Sequence, residues 1–269
     1  MPRQSIDDMK RDRRHVTRAD MAGDFAALGL CAGDVAMVHS SLSSIGYVVG
    51  GADAVIDALL EVVGQTGTVI MPTLVRGGLS VEERFRIWDI DKSPSDVGRI
   101  TEAFRRRPES VRSWHPTHAV SAIGPLAQEL TKDHRHASGR PSPWHDAAFA
   151  ADSPWEKMCD LGARYMFLGT NYRTCTLFHY VQALFVERSG AEFERAAPWP
   201  QFDFMAMGAA FEEHCPVTVG YVGEAETRLF MAADLREFGL GALRDNPAPF
   251  FRKRPDDEFM TWHREVVPG

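Results

Sequence analysis

Leu168-Gly-Thr-Asn-Tyr-Arg-Thr-Cys-Thr-Leu-Phe-His-Tyr-Val-Gln182 constrains this chain most, because it turns an apolar strand into a helix within a few residues. Ala163 to Leu168 predicts the strand and Gly169 to Asn171 the turn. Thr174 or Thr176 is the expected N-cap of a helix running through Val186. His179 then falls in the first helical turn, where the partial positive charge of the helix start disfavours a second proton. A neutral imidazole there suits a general base, or a histidine hydrogen-bonded into a helix-packing surface; both roles stay open at this point.

The same grammar recurs upstream. Thr17-Arg-Ala-Asp20 opens a helix with Met21, Phe25 and Leu28 at helical spacing, closed by Gly29. Val35 to Val38 reads as a buried strand that empties into His39-Ser-Ser-Leu-Ser-Ser-Ile-Gly46, followed by a helix from Ala52 or Asp53 to Val63. A Ser- and Gly-rich turn between a strand and a helix exposes amides and hydroxyls, which suits a phosphate or diphosphate; a plain solvated loop is the competing reading. Gly67 to Met71 is the next strand, broken by Pro72, with Thr73 just past its end. Residues 74–95 are irregular, and a lid over a site is one reading of them. Asp96 to Arg107 is helical with a basic end, Val111 to Trp114 and Ala119 to Ile123 are extended, and Pro125 to Asp133 is helical. Residues 134–155 form a long His-, Pro- and Ser-rich loop of the kind that usually serves function. Glu192 to Asp203 is irregular and acidic, Pro216 to Tyr221 extended, Ala232 to Phe238 helical, and a Pro- and charge-rich tail begins at Asn246. Strands alternating with helices point to an α/β sandwich.

With 269 residues the chain is long enough for one large α/β domain, expected over 19–269 behind a charged N-terminal arm at 1–18. No apolar run reaches membrane-span length and the N-terminus does not read as a signal peptide, so no membrane partner is expected. Cys31, Cys159, Cys175 and Cys215 are scattered without CxxC spacing, which argues against a zinc knuckle or disulfide framework and for the cytoplasm. A net charge of -7 has the wrong sign for a general nucleic-acid binder and the right one for attracting a polycationic small molecule.

Three stretches together resemble one family. Val38 to Gly51 leading to Gly67-Thr-Val-Ile-Met-Pro-Thr73, then Arg112-Ser-Trp-His-Pro116, then Thr176-Leu-Phe-His179 are similar, in order and spacing, to the aminoglycoside 3-N-acetyltransferase family over about residues 19–190. The resemblance implies a mixed-sheet α/β sandwich of the antibiotic N-acetyltransferase type, not the GNAT fold. It also implies transfer of an acetyl group from acetyl-CoA, without a metal, to the 3-amino group of an aminoglycoside, by a monomer or homodimer. His179 becomes the general base, with Thr176 beside the thioester. The coenzyme falls to His39, Ser40, Ser41, Leu42, Ser43 and Gly46, then Thr73, Arg112, Ser113, His115 and Phe178. Many relatives carry Glu three residues after the histidine, where this chain has Gln182. Asp203, Glu187 and Glu224 are the carboxylates expected to meet the cationic substrate.

Chemistry agrees with that allocation. An aminoglycoside amine is largely protonated at neutral pH and cannot attack a carbonyl until a base takes its proton. The developing oxyanion needs donors, and the helix-start amides around Thr176 with its hydroxyl are the candidates. Three rivals remain: a metal enzyme built on His115, His118, His134, His136 and His145; a Cys175 nucleophile four residues before His179; and a protein that sequesters its ligand without turnover. Within the same chemistry, an antibiotic precursor is the alternative amine.

Overall fold

A computed structural model describes residues 14–75, 78–135, 139–188 and 202–250. The strands, in chain order, are β1 (His15–Val16), β2 (Val35–Ser40), β3 (Tyr47–Val48), β4 (Thr68–Pro72), β5 (Val111–Arg112), β6 (Val120–Ile123), β7 (Arg164–Leu168), β8 (Thr218–Val222) and β9 (Ala225–Met231). Seven of them form one mixed sheet in the order β5-β6-β4-β2-β7-β9-β8. β2 lies at its centre, parallel to β4 on one side and β7 on the other; β6 and β9 are antiparallel to their inner neighbours. This is the expected mixed α/β sandwich.

β2 and β7 are buried on both faces, so they read as continuous apolar runs. Val35, Met37, Tyr165 and Phe167 face a core shared with helices Pro154–Asp160, Thr176–Arg188, Phe204–His214 and Ala232–Asp245. The alternate residues Ala36, Val38, Met166 and Leu168 face a second core, under helices Arg18–Ala27, Gly51–Val63 and Arg99–Arg105. The alternation follows from the two-residue period of a strand.

Several boundaries differ from the sequence expectation. Of the arm at 1–18, residues 1–13 lie outside the described residues; His15 and Val16 pair in parallel with Tyr47 and Val48, and Val16 is fully buried. The second strand runs on through His39 and Ser40, because β7 continues beside it to Leu168. Pro72 ends β4 instead of breaking it, pairing only with Val120 beyond the last β2 partner. Asp96 lies outside its helix, which spans Arg99–Arg105, and the 74–95 stretch contains a helix, Val81–Ile87, with a Ser80–Glu83 capping box. The arginines at 105–107 are ion-paired, with Glu102 and with Asp53 and Asp57. Residues 76–77, His136, Glu192–Gln201 and the tail from 251 lie outside the described residues. Among the described residues no helix is long and apolar enough to cross a membrane.

Candidate active site

The parallel strands β4, β2 and β7 end on one side of the sheet, where an open α/β sheet places its binding crevice. A cavity of about 310 Å³ lies there, walled by His39 and Ser40 from β2, Pro72 at the end of β4 and Leu74 just past it, and residues 170 and 173–176 that follow β7. The residue before helix Thr176–Arg188 is Cys175, so neither threonine is the cap; Thr174 Oγ1 instead donates to the Asn171 carbonyl. His179 sits half-buried in the first turn, in the cavity wall.

Aromatic rings hold the imidazole. Trp144 meets it edge-on at 4.4 Å between centroids, Phe204 at 4.8 Å, and His118 at 6.2 Å. Its Nδ1 lies 2.9 Å from Gln182 Oε1, one helical turn on. An amide oxygen only accepts, so Nδ1 is the donor of this pair, and in the neutral ring the lone pair falls to Nε2. Trp144 reaches this position from the 139–153 loop. Arg140 holds that loop, donating from Nε to Glu187 (2.6 Å), from Nη2 to Glu156 (3.2 Å) and from Nη1 to the Phe149 carbonyl (2.6 Å).

A second cavity of about 580 Å³ adjoins the first and shares Ser40 and Val97 with it. Ser41, Leu42, Ser43 and Gly46 line it, with Arg99 and with Gly51 at the start of a 13-residue helix. The Ser41 amide donates to the Leu168 carbonyl, and Ser44 Oγ, 2.9 Å from Ser41 Oγ, donates to the Gly169 carbonyl. Gly169 has φ +64°, and a Cβ there would stand 2.5 Å from that of Ser44; a side chain would push the two turns apart. The Ser40 hydroxyl is buried without a partner among the described residues. Burying an unmet hydroxyl costs about 1–3 kcal/mol, so a polar ligand at the junction of the two cavities fits this turn.

Other expected site residues stand behind the wall. Thr73 is fully buried with its hydroxyl on Ser121 (3.0 Å). Arg112 lies over Trp88 and donates to the carbonyls of Thr73, Ile90 and Ser93; burial pulls its pKa down to about 10. Ser113 receives the Val120 amide and lies 2.9 Å from His134 Nδ1. Phe178 packs on Phe204. His115 is fully buried and accepts the His118 amide at Nδ1, while its Nε2 has no partner among the described residues. None of these five lines either cavity.

The carboxylates have other partners. Asp203 caps helix Phe204–His214, accepting from the amides of Met205 and Ala206. Glu187 holds Arg140, and Glu224 accepts the Arg14 amide beside the serine turn; neither lines the His179 cavity. Among the described residues, the charged side chains that line the His179 cavity are Arg84 and Arg173. Of these, Arg84 falls in the 74–95 stretch that reads as a lid, and His118, which also lines the cavity, was a candidate only in the metal reading; Arg173, Trp144 and Phe204 were not assigned from sequence, although Trp144 lies in the long loop that composition had marked.

The rival chemistries find little support. Burial pushes the Cys175 thiol up to about 12, so it is no thiolate at neutral pH. Among the described residues no three His, Cys, Asp or Glu side chains are grouped to hold a metal ion. The buried histidines bond to neighbouring hydroxyls and backbone instead.

A family model described as aminoglycoside 3-N-acetyltransferase matches residues 37–244. Aminoglycoside N(3)-acetyltransferase VII of Streptomyces paromomycinus is 30% identical over 282 aligned positions, covering 88% of this chain and 94% of that protein. Aminoglycoside N(3)-acetyltransferase VIII of Streptomyces fradiae is 36% identical over 222 positions, 76% of this chain and 68% of that one. Among solved structures, aminoglycoside acetyltransferase AAC(3)-Xa superposes with a TM-score of 0.71 at 31% identity, covering 85% of this chain and 93% of that one.

Proposed function

Because the chain belongs to the aminoglycoside 3-N-acetyltransferase family, we propose that it carries the acetyl group of acetyl-CoA to the 3-amino group of an aminoglycoside, with His179 as general base. Residues 19–269 act as one catalytic unit in the cytoplasm. The observation that carries this reading is the His179 ring in the cavity wall, its Nδ1–H held by Gln182 and the serine turn next to it.

For the coenzyme diphosphate the second cavity offers the hydroxyls of the turn at 40–46, the Arg99 charge and the amides of the helix beginning at Gly51. Acetyl-CoA brings an activated acyl group as a thioester. His179 Nε2 accepts a proton from the substrate ammonium, the freed nitrogen bonds to the acetyl carbon, the C–S bond breaks with its electron pair passing to sulfur, and the second proton shed by the acylated nitrogen passes to that thiolate. The high thiol pKa of Cys175 supports direct transfer in a ternary complex over an acyl-cysteine intermediate.

A second reading of the acceptor, a different amine such as an antibiotic precursor, draws on the cavity's charge. Arg84 and Arg173 line it with no carboxylate among the described lining residues, and Asp203, Glu187 and Glu224 are bound to partners elsewhere. A thiol-release assay with acetyl-CoA separates the two, run over aminoglycosides and over amines that carry a carboxylate or phosphate. His179→Ala is expected to lose about 10²- to 10⁴-fold in kcat with whichever amine the parent accepts. Parental rates in that variant would overturn the base assignment.

A further inference from the structure

The oxyanion formed in such a transfer needs donors already aimed at it. The amides at the start of helix Thr176–Arg188 do not supply a full set. Leu177 N–H points to the Tyr165 hydroxyl (3.4 Å), and Phe178 N–H to the Cys175 carbonyl (3.2 Å). Another donor lines the same cavity. His39 Nε2 lies 2.7 Å from the Tyr165 hydroxyl, with the two rings stacked. The Tyr165 oxygen receives the Leu177 amide and faces the Cys175 thiol as a donor at 4.0 Å, so the acceptor left for the tyrosine's own proton is His39 Nε2. A neutral ring that accepts at Nε2 carries its hydrogen on Nδ1. Burial keeps the ring neutral, with a pKa pulled down to about 3. Nδ1 has no partner among the described residues, and the ring lines the cavity together with Thr176 and His179.

We propose that His39 donates its Nδ1–H to the acetyl carbonyl oxygen in the transition state, and that Tyr165 is a positioning residue that fixes the tautomer able to do so. This rests on the reading of the cavity as the place of acetyl transfer. No proton leaves His39: negative charge gathers on the oxygen as the amine bonds to carbon, and returns as the C–S bond breaks.

Two measurements test it. Imidazole ¹⁵N spectra of the unmodified protein should show His39 protonated at Nδ1; protonation at Nε2 would overturn the proposal whether or not any variant folds. In kinetics with the amine found above, His39→Ala should lower kcat by about 10²- to 10³-fold while KM for acetyl-CoA stays within about threefold. His39→Asn, whose amide nitrogen stands near the Nδ1 position, should recover at least about tenfold of that loss, and Tyr165→Phe should lower kcat with mixed His39 tautomers. Full kcat in His39→Ala, or a loss confined to KM for acetyl-CoA, would sink the proposal and leave the His179 reading intact. Parental activity in His179→Ala would instead strike the reading beneath it.

Discussion

Gln182 sets the character of the base. Its amide oxygen selects the Nδ1–H tautomer of His179 at 2.9 Å, but it offers no counter-charge for the imidazolium that forms during transfer. Gln182→Glu supplies that charge at the same reach. The acid limb of its kcat/KM–pH profile is expected to lie about one pH unit higher than the parent's, because a neighbouring carboxylate favours the protonated ring. Superimposable profiles for the two proteins would show that residue 182 does not hold the ring in solution. The sequence marked residue 182 only as a Gln where many relatives carry Glu, and left the group that orients His179 open. What the aromatic walls are made of was not legible either, since Trp144 and Phe204 come from segments far along the chain.

At the level of elements, helix Phe204–His214 brings Phe204 to His179 and packs on the turn after β7. The contact is close at Gly208, where a Cβ would stand 2.2 Å from the Tyr172 ring. Gly208→Ala should therefore cost about 1–3 kcal/mol through overpacking, read as a lower urea midpoint with an unchanged slope. An unshifted midpoint would mean that the helix yields without cost. The strands and helices that frame the site were readable because their signals are local: apolar runs for β2, β4 and β7, and a Thr17–Asp20 capping box for the first helix. The roles of the expected substrate carboxylates were harder to read, for the opposite reason. Whether Asp203 meets a ligand or caps a helix depends on where that helix begins, and Glu187 is claimed by Arg140 from 47 residues away. Phe178 shares a motif with Thr176 and His179 yet packs behind the wall, because adjacent side chains on a helix face different ways.

For the molecule as a whole, four buried histidines make stability depend on pH. Burial is the first cause of depression in each: His39 to about 3, His134 to about 4, His115 and His118 well below the ordinary range. Above roughly pH 6.5 neither the folded nor the unfolded ring holds a second proton, and their contribution is fully present. As pH falls below that value the unfolded chain takes up protons that the folded one refuses. Stability should then drop by on the order of 5 kcal/mol per pH unit until the folded pKa values are reached. Urea melts at pH 7, 6 and 5 would check this, and a flat midpoint across them would contradict it.

The strand order carries one more implication. β2, β4, β5 and β6 come from before the 139–153 loop and β7, β8 and β9 from after it, so one ladder, Ala36–Ser40 against Arg164–Leu168, stitches the halves together. Ser40 and the serine turn belong to the leading half, His179 and Thr176 to the trailing one. A chain severed in that loop would be a two-piece lock, each fragment holding one side of the keyhole, and turnover would report directly on their reunion.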